Sequence, residues 1–236
     1  MKFTTWFRLT GVFLPAVCLF AQVEPGRPGP WDNDLLVYQI APDGRAERLA
    51  TLPRGGVPTL LRMKDGSYRA FTKERDGGIQ VFSSTNGLDW RNVGTAFRDD
   101  RYPNATDPDV LETPGGWVML VSLGPRLLRC TSKDGLRFVA GEIMDLGGSV
   151  SDTVAIEGGW RTFFHVNARP GTGGKMLIRS AFTVDGRTWK VEDGDRVRAP
   201  DTGPARLGVA DPAPLQREDG TWIMALKSFI APPQFR

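Results

Sequence analysis

The chain has 236 residues and a formal charge of +3; it is 40% hydrophobic, 24% charged and 10% aromatic, with 28 Gly and 18 Pro. These proportions are those of a globular protein and exclude a disordered tail or a polytopic membrane protein, while Gly and Pro at about a fifth of residues disfavour an all-helical fold and suit short strands with tight turns. One histidine, His165, excludes every site that needs two imidazoles, including the paired-histidine zinc motif, and leaves a nucleophile triad a single choice of base.

Residues 1–21 read as a secretory leader: Lys2 and Arg8 precede an apolar run from Leu9 to Phe20 that closes at Ala21. The run is shorter than the roughly twenty residues a membrane-crossing helix needs. Cleavage after Ala21, a secreted or periplasmic location and no membrane association after cleavage are therefore expected. Residues 22–33 are a Pro/Gly-rich linker, and residues 34–236 form one domain. Without the leader, 28 basic residues face 27 acidic ones, a charge of +1, and the short basic clusters carry no interleaved aromatics, so no nucleic-acid partner is implied. Cys130 is then the only thiol; no intramolecular disulfide can form, and a hydrophobic core must hold the domain together.

From residue 35 onward the chain is written in hairpins. Leu35 to Ile40 and Arg45 to Leu52 flank Pro42-Asp43-Gly44, a tight-turn sequence. A strand starting at Val57 then turns at Asp65-Gly66 and returns through Phe71, and a second turn follows at Ser84-Thr85-Asn86-Gly87 before Trp90. The unit recurs as Asp107 with Gly115-Gly116 and Ser132-Lys133-Asp134-Gly135 before Phe138. It recurs again as Asp152 with Gly158-Gly159 and Thr183-Val184-Asp185-Gly186 before Trp189. A last strand from Asp211 turns at Asp219-Gly220 and runs through Leu226. Two hairpins per unit of about 45 to 50 residues make a four-stranded antiparallel sheet of propeller-blade size. The expected fold is an all-β propeller with four countable blades, each Asn/Asp-Gly turn a tight hairpin, the ring closed by the N-terminal strands.

Strand direction alternates within a blade, so both kinds of Gly turn fall on one face and the starts of the first strands fall on the other. That second face gathers Asp107, Asp109, Asp152 and Asp211 with the strand-end residues Lys73, Glu74, Arg75, Ser122, His165, Asn167 and Lys227. Innermost strands converge on the axis of a propeller, which brings Asp107, Asp152 and Asp211 together as equivalents at the channel mouth. Crowded carboxylates raise one another's pKa, and a pair flanking a glycosidic bond is the equipment of glycoside hydrolysis. The same oxygen-lined mouth would suit a calcium ion, although no cofactor is required.

The strand starts Asp107-Pro108 and Asp211-Pro212, followed by a Gly turn before Trp and by the Ser/Thr-x-Asp-Gly turn, resemble the five-bladed propeller glycosidases of the arabinanase, xylosidase and fructosidase kind. The second turn also resembles the Asp box of sialidases. The resemblance implies a carbohydrate substrate and three acids: Asp107 as base, Asp152 orienting and tuning pKa, and Asp211 or Glu74 giving the proton. Asp109, Arg75, His165, Asn167, Lys227, Arg101 and Tyr102 would line the substrate site, and the protein would be a monomer. A sialidase would require an arginine cluster, which Arg98 and Arg101 beside Tyr102 would have to improvise. A propeller that binds glycan or protein without catalysis is the alternative from another class.

Overall fold

The computed structural model describes residues 32–40, 45–75, 77–168, 170–200 and 207–229. The leader, most of the linker and the Pro42-Asp43-Gly44 turn lie outside them. The described residues form a β-propeller. Its N-terminal hairpin is β1 (Asn33–Ile40) with the first half of β2 (Ala46–Arg62). The second half of β2 opens the first blade, which continues through β3 (Tyr68–Lys73), β4 (Ile79–Ser84) and β5 (Arg91–Phe97). The second blade is β6 (Thr106–Thr113), β7 (Gly116–Leu123), β8 (Arg126–Ser132) and β9 (Val139–Met144). The third is β10 (Ser149–Ile156), β11 (Gly159–Val166) and β12 (Leu177–Thr183), with a fourth strand split into β13 (Lys190–Val191) and β14 (Val197–Arg198). A final hairpin, β15 (Val209–Gln216) and β16 (Trp222–Ser228), is the inner half of a fourth.

Every pairing of named strands is antiparallel, beside one isolated parallel bridge between Met176 and Gly208, and alternation along each strand sends successive side chains into opposite inter-blade interfaces. Phe71, Val81 and Ala96 of the first blade meet Met119, Leu128 and Cys130 of the second. Leu111, Val118 and Leu120 meet Trp160 and Trp189. Phe163 and Ile178 meet Trp222 and Met224, while Phe164, next to Phe163, faces the other way against Trp189 and Leu146. The repeating tryptophans are thus packing residues. The N-terminal hairpin lays Leu35 and Val37 on Ala70, Phe82 and Trp90. Among the described residues β1 pairs only with β2, whose second half carries the first blade, and β16 pairs only with β15. Burial drives the thiol of Cys130 up to about 12, so it is an inert core group.

The three Asn/Asp-Gly turns are built alike, but they are not the two-residue hairpins expected. Only the glycine takes positive φ (77° at Gly87, 66° at Gly135, 69° at Gly186), whereas a two-residue turn would need it at both central positions. Each turn spans five residues closed by side chains. Asp134 Oδ1 accepts the amides of Leu136 (2.8 Å) and Arg137 (3.0 Å), and Ser132 Oγ accepts the amide of Gly135. Asn86 and Asp185 repeat the pattern. The turns also join blades: Arg69 Nη1 donates to the carbonyls of Asp134 and Gly135, and Arg129 Nε to that of Gly186.

Candidate functional site

Each first strand carries one extra residue, a bulge, near its start, marked by a register shift in β2, β6, β10 and β15. The bulged residue has positive φ in all four: Val57 (47°), Asp107 (52°), Val150 (52°) and Asp211 (52°), the complete set of non-glycine residues in that region among those described. These are the equivalent positions of the repeat. Asp152, expected level with Asp107 and Asp211, stands two residues deeper, beside Asp109 in the neighbouring blade, and Val150 takes the place assigned to it. A numerical signal was present: Val57, Asp107, Val150 and Asp211 each precede their Gly-containing turn at Asp65, Gly115, Gly158 and Asp219 by eight residues, whereas Asp152 precedes Gly158 by six.

The four bulges converge on a pocket of about 350 Å³ whose walls include Val57, Asp107, Asp109, Val150, Asp152 and Asp211. Acid and apolar residues alternate around its mouth. Asp107 has its pKa raised, first by burial and then by the charge of Asp211, against hydrogen bonds from the Ser122 and Thr106 hydroxyls and the attraction of Lys73. Ser122 Oγ also accepts the amide of Val150 (2.9 Å), tying this acid to the next blade. Asp211 has Lys227 Nζ at 3.3 Å and His165 Nδ1 at 3.4 Å. Burial, partly offset by Asp211, holds the imidazole pKa below its ordinary value.

Asp109 and Asp152 occupy the same place in adjacent blades and meet different neighbours. Asp109 is buried and accepts the Thr153 amide (3.2 Å) and hydroxyl (2.6 Å). Burial still raises its pKa. Asp152 has no hydrogen-bond donor among the described residues, and burial followed by the charge of Asp109 pushes it up to about 7.

Several expected site residues lie elsewhere. Glu74 pairs with Arg98 (2.7 Å), and Arg75 with Asp32. Arg101 pairs with Asp99 (2.6 Å) and lies over the Tyr102 ring, which packs against the first core cluster. Asn167 is exposed beyond the end of β11. None of these lines the pocket, and neither does any arginine. Lys73, Ser122 and His165, buried strand ends, instead reach toward the next blade: Lys73 Nζ donates to the Ala105 carbonyl at 2.6 Å. Among the described residues no group of three or more His, Cys, Asp or Glu is arranged to hold a metal ion.

No family model and no curated protein sequence matches the chain. Solved structures do resemble it. A candidate glycoside hydrolase from Parabacteroides distasonis aligns over 82% of this chain and 77% of its own, with a TM-score of 0.57 at 12% identity. An α-L-arabinofuranosidase from Clostridium thermocellum gives 0.55 at 13% identity over 75% of this chain and 61% of its own. An exo-1,5-α-L-arabinanase from a bovine ruminal metagenomic library gives 0.55 at 12% identity, over 76% and 70%. At such identities the likeness is one of fold: this chain has the propeller architecture on which those glycosidases are built.

Proposed function

We propose that the protein is an exported glycoside hydrolase that cleaves a terminal sugar in the pocket formed by the four bulges. The observation that carries this reading is the convergence there of carboxyls with unlike environments, which is how one fold supplies both an acid and a base near neutral pH. Asp152, unsupported by donors and raised to about 7, gives its proton to the leaving oxygen. Asp211, paired with Lys227, is the partner that activates water or attacks the anomeric carbon, and Asp107, whose own pKa Asp211 helps to raise, faces it across the mouth. This exchanges the roles expected from sequence, where Asp107 was the base and Asp152 the tuning residue; Glu74, held by Arg98, drops out of the scheme. Val57, Val150 and the neighbouring prolines offer the apolar wall that the face of a sugar ring requires. With no arginine in the lining, a neutral sugar fits better than a carboxylate-bearing one, which argues against the sialidase reading.

The test is hydrolysis of a panel of nitrophenyl glycosides (arabinofuranoside, xyloside, fructoside-type and sialoside) by the mature protein, Asp152→Asn and Asp211→Asn. Loss of about 10²–10⁴ in rate for either variant, at a melting temperature no lower than that of wild type, supports the scheme. Activity should also decline as pH rises through about 7, where Asp152 gives up its proton. Calorimetric binding of a sugar with no turnover of any substrate would replace the enzyme by a glycan-binding propeller. Export is checked by N-terminal sequencing of the mature protein, which should begin at Gln22.

A further inference from the structure

In the second and third blades, the residue two positions after the bulge is an aspartate: Asp109 and Asp152. The two face the same kind of neighbour, the innermost strand of the following blade. Asp109 meets β10, and the residue that satisfies it is Thr153, three positions after the bulged Val150; both its amide and its hydroxyl donate. For Asp152 the following strand is β15. Three positions after the bulged Asp211 stands Pro214, which has no amide hydrogen and no hydroxyl. Pro214 pairs with Met224 on β16, and the bulge and its spacing from the turn are those of the other blades, so backbone geometry does not cause the difference. β15 is the innermost strand of its blade, with its other edge open to the channel, a position where proline forfeits no ladder hydrogen bond.

We propose that Pro214 is a positioning residue of the pocket: it withholds from Asp152 the two hydrogen bonds that Thr153 gives to Asp109, and so keeps the Asp152 carboxyl protonated and poised to donate. The charged groups bearing on Asp152 reinforce this. Asp109 on β6 repels its charged form, Asp107 and Asp211 are the other acids of the pocket, and no cation lines it; His165 and Lys227 bear on Asp211. A carboxyl in such surroundings loses its proton less readily than one that accepts amide and hydroxyl bonds. The catalytic consequence rests on reading Asp152 as the proton donor, but the electrostatic role of Pro214 does not.

The experiment follows the Asp152 carboxyl carbon by NMR, assigned through Asp152→Asn, from pH 3 to pH 9 in the full mature chain and in Pro214→Val and Pro214→Thr. Valine restores the amide donor alone, and threonine restores amide and hydroxyl. The expected order of titration midpoints is wild type highest, Pro214→Val lower and Pro214→Thr lowest, with any movement of the Asp109 titration upward, since an ionised Asp152 repels its charge, and with the amide pattern of the third blade preserved. Equal midpoints in wild type and a folded Pro214→Thr overturn the proposal, as does a fall of the same size in both variants, since the hydroxyl would then contribute nothing. If the glycosides are cleaved, the alkaline limb of the rate profile moves to lower pH in the same order. If none is cleaved but the midpoints follow the order, the hydrolase reading fails and the role of Pro214 stands.

Discussion

Asp134 and Asp152 lie at opposite ends of neighbouring blades and show what the two faces of the propeller are built for. Asp134, in an exposed turn, receives two backbone amides and a serine hydroxyl, which hold its carboxyl down to about 2. Asp152, in the pocket, receives none and is pushed up to about 7. On one face the acid is spent on closing the chain; on the other it is left with its bonding capacity unused, at a cost in stability. The backbone follows the same division. The turns place positive φ on glycine, whereas the pocket rim places it on two valines and two aspartates, conformations that persist only because the surrounding sheet enforces them.

The strongest way to break this comparison is at Gly135. A Cβ there would sit 2.6 Å from Arg69 Nη1 and 2.7 Å from Trp117 Cδ2, on a backbone at φ 66°. Gly135→Ala should cost about 3 kcal/mol by chemical denaturation. Next, Asp134→Ala removes the capping bonds and should cost about 1 kcal/mol at pH 7. Because the folded pKa is depressed, that stabilisation is present above the unfolded value of 3.8 and fades as pH falls towards 2, so variant and wild type converge in acid. Asp152→Asn should behave in the opposite sense. The folded carboxyl holds its proton more tightly than the unfolded one, so wild type loses stability as pH rises from about 4 to about 7. The variant should therefore melt higher than wild type at pH 8 and at the same temperature at pH 3. The smallest effect is expected at Val57, which is 42% exposed. Val57→Gly relieves the backbone but adds chain entropy to the unfolded state, a net gain of about 0.5 kcal/mol.

Much of this architecture could be read from turn residues alone. Asp65-Gly66, Gly115-Gly116, Gly158-Gly159 and Asp219-Gly220 separate the first two strands of each blade where expected. Local chemistry sufficed because a turn is specified by the residues that make it. The acid equivalences were misread because an Asp-Pro pair looked like the marker of the strand start, so Asp152 was matched by residue type, although a bulge conserves spacing and not identity. The partners of Lys73, Ser122 and Thr153 were beyond sequence reading for a different reason. Lys73 meets Ala105 from 32 residues away, Ser122 meets Val150 from 28, and Thr153 meets Asp109 from 44. Such contacts are set by the angle between blades, which no local pattern encodes. Glu74, Arg75 and Arg101 were placed by strand direction alone, which says nothing of the pairs they form with Arg98, Asp32 and Asp99.

The repetition of the rim bulge has a consequence for how this protein can change. Its backbone is the same to within a few degrees whether the residue is valine or aspartate, so the letter written there is nearly independent of the fold beneath it. Four such places surround one cavity, and each can be rewritten by a single codon without moving a strand. Val150→Asp would set a third carboxylate beside Asp107 and Asp211, and Asp107→Val would leave the mouth with one. Point changes at the rim could thus alter how many carboxylates the mouth presents, and with them what it binds, while every inter-blade core stays as it is.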